Sequence, residues 1–295
     1  MDELHTSRVS SRIPQVLRNI PWVRIIIWIL LIGMVVFTVM PLLFMLTASL
    51  MTSRQIVRMP FNWIPETFYV HNFLQALRGN DGSWIFSRNI LNSLFVATTV
   101  AITTVLIASI TGYGIAKFKF KGRNFVFMLI MATMMIPFEA IMIPLYMVTT
   151  SFKMQDSYMG LIVPFLVSAF GVFQMRQYLT TFPSEFLDAS RVDGLGEFQI
   201  FWQIVFPNCA PVIATLGILS FRGQWDNLLW PLLVAQSEKM KTIPLYISKF
   251  AEEKLTDEGA MMAAALIASV PMFIMFGALS RYFIGGSAVY ESRKG

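Results

Sequence analysis

Six stretches of the chain stay apolar for about the 20 residues that cross a hydrocarbon core of roughly 30 Å, and each is bounded by charged or turn-forming residues. They are residues 22–48, 89–116, 125–148, 161–178, 210–233 and 260–284. The pattern predicts one transmembrane helix over each, and so an all-α membrane protein of six spans forming a single transmembrane domain over residues 1–295. The first span follows Arg8, Arg12, Arg18 and Arg24 in the manner of a signal peptide. Its apolar run is too long for one, and no small-residue cleavage site follows, so an uncleaved anchor is expected.

The positions of Lys and Arg give the expected sidedness. With the N-terminus inside, the cytoplasmic side collects thirteen of them, and the tight turn at residues 117–123 with Lys117, Lys119, Lys121 and Arg123 is the clearest case. The other side collects nine, and Arg222 falls within a span. Both termini are therefore expected to be cytoplasmic. Composition agrees with a membrane protein: 56% of the residues are hydrophobic, only 14% are charged, and the mean hydropathy is +0.62, which nearly excludes a water-soluble globule. A single cysteine, Cys209, excludes an internal disulfide, while His5 and His71 have no zinc-ligand spacing, so no metal site is expected. The net charge of +6 could suit nucleic acid, but the basic residues form no run of five, and no nucleic-acid partner is expected.

Between the spans, the outside segments at 49–88 and 235–259 and the inside segment at 179–208 are long. The inside one carries Glu185, Asp188, Asp193 and Glu197 against Arg191. An acidic inside loop is no orientation signal, and docking to a cytoplasmic partner explains it. Residues 185–194 read as a short helix, with Pro183 suited to its first turn and Gly194 to the left-handed residue past its end. On that helix Phe186 and Ser190 are expected on one face beside Ala189, with Glu185, Asp188 and Arg191 as a charged rim. The alternative is an amphipathic helix lying on lipid headgroups, which a net acidic helix does not favour.

Two polar features lie inside spans. Glu139 sits between Pro137 and Pro144; it either faces a watery pathway or lies at the outer interface or in a structural pair. Residues 221–231 hold Arg222, Gln224, Trp225, Asp226, Asn227 and Trp230. Aromatic faces beside amides and a carboxylate suit a polyhydroxylated solute such as a sugar. An aromatic belt with an Arg222–Asp226 pair at i,i+4 would give the same pattern.

The inside loop resembles the cytoplasmic signature of the permease subunits of binding-protein-dependent ABC importers. The residues that carry it are Pro183, Glu185, Asp188, Ala189, Ser190, Asp193, Gly194, Ile204, Pro207 and Pro211. The chain departs from the pattern in having Asp188-Ala189-Ser190 for Glu-Ala-Ala and Leu195 for the alanine after the glycine. Residues 136–146, 223–231, 242–245 and the late Arg281-Tyr282-Phe283 and Lys294-Gly295 extend the likeness to the oligosaccharide branch, similar to the smaller permease of the maltose importer. The resemblance implies a type I permease fold in the inner or plasma membrane of a prokaryote, paired as a heterodimer with a second related permease. It also implies two cytoplasmic ATPase subunits and an extracytoplasmic solute-binding protein. The ATPase contact would be Glu185, Phe186, Asp188, Ala189, Ser190, Asp193 and Gly194, and the outer loop beginning Gln236-Ser237-Glu238-Lys239 would reach into the binding protein's cleft and displace the sugar.

No Gly-x4-Gly-Lys-[Ser/Thr] phosphate loop occurs, so this chain is expected to be non-catalytic and to bind no cofactor, with ATP and magnesium used by the ATPase subunit. Within the importers, amino-acid, phosphate or metal cargo is the alternative to carbohydrate. A secondary transporter would usually show repeat symmetry and broken helices in matched halves, and the sequence displays neither.

Overall fold

The computed structural model describes residues 21–78, 84–252 and 257–292. Arg8, Arg12, Arg18, Lys294 and Gly295 lie outside the described residues, as do the side chains of Arg281, Tyr282 and Phe283. Among the described residues the regular structure is entirely helical. In chain order the helices are α1 (Pro21–Ala48), α2 (Ser53–Val57), α3 (His71–Arg78), α4 (Ile85–Lys117), α5 (Arg123–Thr133), α6 (Phe138–Ser151), α7 (Tyr158–Ile162) and α8 (Ala169–Thr180). They continue as α9 (Glu185–Val192), α10 (Glu197–Ile200), α11 (Phe206–Asn208), α12 (Ala210–Trp225), α13 (Leu229–Val234), α14 (Ile243–Glu252) and α15 (Glu258–Ser292).

Three helices, α1, α4 and α15, are long and apolar enough to cross a membrane unbroken. Three more crossings arise when each bent pair counts as one span: α5 with α6 at 94°, residues 158–165 with α8 at 41°, and residues 197–208 with α12 at 78°. The continuous helices expected over 125–148, 161–178 and 210–233 are thus corrected to broken ones, and broken helices, the feature the sequence did not display, are present.

Each break has a local cause. Pro137 keeps Ile136 out of the helical region and begins α6 from an extended conformation. At Ser168 the chain turns extended, and the Ser168 hydroxyl accepts the Gly171 N–H at 3.1 Å to start α8. Before α12, a π-helical turn at Phe201–Val205 runs into Pro207. Helix α12 stops at Trp225, and two residues further on the Asn227 side chain accepts the Trp230 N–H at 3.2 Å where the chain restarts as α13.

Helix α4 forms the axis of the bundle. Val96, Ala97, Val100, Ala101, Thr104, Val105, Ala108 and Gly112 are all buried, a helical stripe dominated by small side chains. Such residues let neighbouring backbones approach closely where hydrocarbon supplies no hydrophobic drive between helices. At its C-terminal half, α4 packs with α8, α12 and residues 187–205 around Met175, Leu179, Leu187, Ile200 and Leu216. At the other half it packs around Leu161, Trp230, Val234 and Leu245. The α4–α8 crossing is closest at Gly112, where an added Cβ would lie 2.6 Å from Met175 Cβ and 3.0 Å from the Arg176 nitrogen. Gly112→Leu is therefore expected to lower the thermal midpoint of the detergent-solubilised protein, by about 1–3 kcal/mol of stability from overpacking. An unchanged midpoint would show that α8 can move away at no cost.

Candidate functional site

Three groups of residues expected to act fall at different levels along α4. The first is α9. Ser184 opens the helix, and it closes in a Schellman turn: Leu195 N–H bonds the Ser190 carbonyl at 3.1 Å, Gly194 N–H bonds the Arg191 carbonyl at 3.1 Å, and Gly194 takes φ +85°. Leu187 is buried in the inner core, while Phe186 is 56% exposed. Glu185, Asp188, Ala189 and Asp193 are exposed as well. Ser190 is corrected: at 5% exposure it faces inward, its hydroxyl donating to the Phe186 carbonyl at 2.6 Å. The outer face is Phe186 with Ala189, one helical turn apart. Arg191 bridges Asp188 and Glu197 at 2.7 Å each, and the two carboxylates, Glu197 foremost, push its guanidinium pKa up. Glu197 also accepts the Tyr113 hydroxyl of α4 at 3.1 Å, and Lys117 of α4 donates to the Phe182 carbonyl.

The second group lines a cavity of about 350 Å³ at the α5–α6 break, walled by Glu139, Thr104, Ser168, Ser220, Gln224 and Asn227. Glu139 lies in the first turn of α6, directly after the break, rather than mid-helix as expected. Gln224 and Asn227 join it there, but the tryptophans do not. Trp230 is wholly buried, and its indole donates to the Gly160 carbonyl at 2.9 Å. Trp225 is 3% exposed and lies flat on Phe221, its indole donating to the Ala268 carbonyl at 3.2 Å. Trp230 is thus a structural donor in the core, whereas Trp225, with Asp226, also lines a second cavity of about 510 Å³ against Pro244, Ser248 and Met272. Asp226 pairs with Arg222 at 3.3 Å, both side chains largely exposed.

The third group is the segment after α13. Gln236 and Ser237 donate their backbone N–H groups to Asp156 Oδ1 at 2.9 Å each. Those bonds, the Ser237 one above all, hold the Asp156 carboxyl below the usual aspartate range. Glu238 pairs with Lys241 at 2.7 Å in a tight turn, and Pro244 stands in the first turn of α14. The stretch Gln236-Ser237-Glu238-Lys239, expected to reach into a partner's cleft, is held at its base by these bonds. Asp156 escaped the sequence reading, as did Asn89 and Asn92 of α4, although two amides at helical spacing inside an apolar stretch were a visible signal.

A bundle of intact and broken spans, with an exposed charged helix at one end and a polar cavity midway, is the architecture of a membrane permease. The family model for the binding-protein-dependent transport system inner membrane component matches residues 104–285, and the chain belongs to that family. It is similar to an arabinooligosaccharides transport system permease protein of Halalkalibacterium halodurans, 33% identical over 90% of this chain and 96% of the relative. It is likewise similar to a lactose transport system permease protein of Rhizobium radiobacter, 33% identical over 84% and 89%. A third relative is an sn-glycerol-3-phosphate transport system permease protein of Brucella abortus, 32% identical over 88% and 93%. Among solved structures, a bacterial ABC transporter involved in the import of the acidic polysaccharide alginate contains a chain with the same fold. That chain has a TM-score of 0.78 and 19% identity, with 94% of this chain and 100% of that one covered. The protein is thus a multi-pass inner-membrane permease component of an ABC import system.

The two neighbours on α9 give a direct test of which side chain holds the helix. Leu187→Ala is expected to cost about 2–5 kcal/mol in thermal unfolding. Phe186→Ala, exposed, is expected to change stability by no more than about 0.5 kcal/mol. The reverse order would show that α9 is docked the other way round.

Proposed function

We propose that this chain forms half of the translocation pathway of an ATP-driven carbohydrate importer, for a di- or oligosaccharide or a related polyol. In this reading the other half is a second homologous permease, two ATPase subunits bind on the cytoplasmic side, and a solute-binding protein docks on the opposite side. Both termini are then cytoplasmic. The observation that carries the reading is the outward Phe186–Ala189 face of α9, rimmed by Glu185, Asp188 and Asp193 and finished by the Gly194 turn. An aromatic knob beside a small residue fits a cleft on a partner, and the Arg191 bridge holds the helix at a fixed angle to the bundle. Closure of the ATPase dimer would push on that face, and the chain would respond by switching between inward-open and outward-open states with no covalent step of its own. ATP and magnesium belong to the ATPase subunit, since the sequence contains no phosphate loop.

Cargo class follows from the cavity. Gln224 and Ser220, with the remaining capacity of Asn227, Thr104 and Ser168, offer amide and hydroxyl groups beside the rings of Phe138 and Phe165, which suits a solute with both hydroxyls and C–H faces. The relatives handle both neutral sugars and an anionic polyol phosphate. A carboxylate at the wall, Glu139, opposes an anionic solute and favours the neutral class.

Reconstitution in proteoliposomes tests this. The purified chain alone is expected to hydrolyse no ATP above a mock preparation, and the four-part complex to take up sugar only with ATP and binding protein present. Gly194→Leu is expected to abolish uptake at normal membrane abundance, because a left-handed residue with a side chain costs about 1–2 kcal/mol where glycine costs nothing. Gln224→Ala is expected to lower sugar uptake about fivefold through one lost hydrogen bond of about 1 kcal/mol. ATP turnover by the isolated chain, or uptake driven by an ion gradient without ATP, would overturn the assignment.

A further inference from the structure

Helix α4 runs for 33 residues, about 50 Å at 1.5 Å per residue, and contains no proline, whereas α1 and α15 each carry one, Pro41 and Pro271. One end is tied to the α9 region: Tyr113 bonds Glu197, and Lys117 bonds the Phe182 carbonyl while lying 5.9 Å above the Phe182 ring. The other end is tied, just as firmly, to the segment between α13 and α14. Asn92 donates from its single amide nitrogen to the carbonyls of Lys239 and Lys241, both at 2.9 Å. Asn89, with its amide nitrogen turned toward the carbonyls, donates to Glu238 and Lys241 at 3.2 Å each. Arg88 adds a bond to the Lys239 carbonyl at 3.0 Å, and Ser93 accepts the Ile243 N–H at 2.8 Å. Asn89, Asn92 and Ser93 are all buried, at 0%, 1% and 2% exposure.

The amide of Asn92 can point only one way. Its oxygen accepts the Tyr158 hydroxyl at 2.6 Å, and Tyr158 is itself held edge-on against Phe95 of α4. With the oxygen occupied, both N–H bonds are aimed at the two carbonyls. No other side chain of this size donates twice and accepts once: aspartate would set a negative charge against two carbonyl oxygens, and leucine would take one donor from each, leaving Arg88 on Lys239 and Asn89 on Lys241.

We propose that Asn92, supported by Asn89, is a positioning residue that fastens residues 238–243 to α4, so that this outer segment moves with α4 as one body throughout the transport cycle. A tilt imposed on α4 by the α9 region is then delivered at the outer segment without a hinge between them. The inference rests on the coupling reading above and adds to it which element carries the motion and what grips the far end.

The test uses the full complex in proteoliposomes. In a Cys209→Ser background, Arg88→Cys and Lys239→Cys are joined by a short bis-maleimide. Because the two partners travel together, the cross-linked complex is expected to take up solute at the level of singly substituted controls given the same reagent. Loss of uptake in the cross-linked complex alone would mean that the segment must slide on α4, and would overturn the proposal. Asn92→Leu is expected to keep membrane abundance and basal ATP hydrolysis while cutting the stimulation by binding protein about fivefold or more, a loss of coupling that general destabilisation would not single out. Should Asn92→Leu fail to assemble, Tyr158→Phe keeps the ring on Phe95 but frees the Asn92 amide, and is expected to lower the same stimulation ratio. An unchanged ratio in whichever variant assembles would overturn the proposal. Failure of the coupling reading itself looks different: the unsubstituted complex would then show no stimulation by binding protein, and both would fall together.

Discussion

A carbonyl oxygen set free by a break in a helix finds no water within hydrocarbon, and much of this structure follows from where such oxygens find donors. Near the break before α8, Thr104 reaches across from α4 to the Phe165 carbonyl at 3.3 Å. At the break before α12, Tyr178 donates to the carbonyl of Asn208 at 2.9 Å. Gly160, at the start of the α7 segment, receives the Trp230 indole, and Ala268, one turn before Pro271, receives that of Trp225. The carbonyls of residues 238–241 are met by Asn89 and Asn92. Two of the three broken spans thus take a donor from a neighbouring helix at the break itself.

That requirement explains the place of α4. It is proline-free and so keeps its own backbone satisfied, which leaves its side chains available to serve others. Its small residues bring α8 and α12 close enough for short polar side chains such as Thr104 to reach their targets. A larger residue at Gly112 would push α8 outward and lengthen those same bonds. Close packing and polar satisfaction therefore converge on one helix, and two of the three bent spans, those of α8 and α12, lean on it.

The all-helical class, the six apolar stretches and the left-handed Gly194 were legible in the sequence, because length, hydropathy and turn chemistry are local properties. The breaks were not, although Pro137 and Pro231 were in view. Prolines are common within transmembrane helices and cause anything from a slight kink to a right angle, and the difference is set by which neighbour accepts the freed groups. Trp230, wholly buried, was misread for a related reason. In a sequence, an indole beside amides looks the same whether its ring meets a solute or its N–H meets a carbonyl. The cavity was legible only in part: Gln224, Asn227 and Glu139 were named, while Thr104, Ser168 and Ser220, from three other positions in the chain, come together only in the fold.

The orientation of α9 shows how much such a short element owes to its anchors. Eight residues make little more than two turns, too few to be stable as an isolated helix. Rotation by one residue would turn its faces by about 100°, taking Phe186 into the core and Leu187 out. Three restraints of different kinds prevent this: Leu187 in the inner core, the Arg191 bridge from Asp188 to Glu197, and the Schellman turn at Gly194 that fixes where the chain leaves. The ion pairs alone would be a weak restraint, since Arg191 is 40% exposed and such pairs are worth little near water. Glu197, however, is also held by Tyr113 of α4, so the bridge is anchored to an unbroken, proline-free span. The larger apolar side chain, Phe186, is thus the one left outside, 56% exposed on the face that the coupling proposal assigns to a partner.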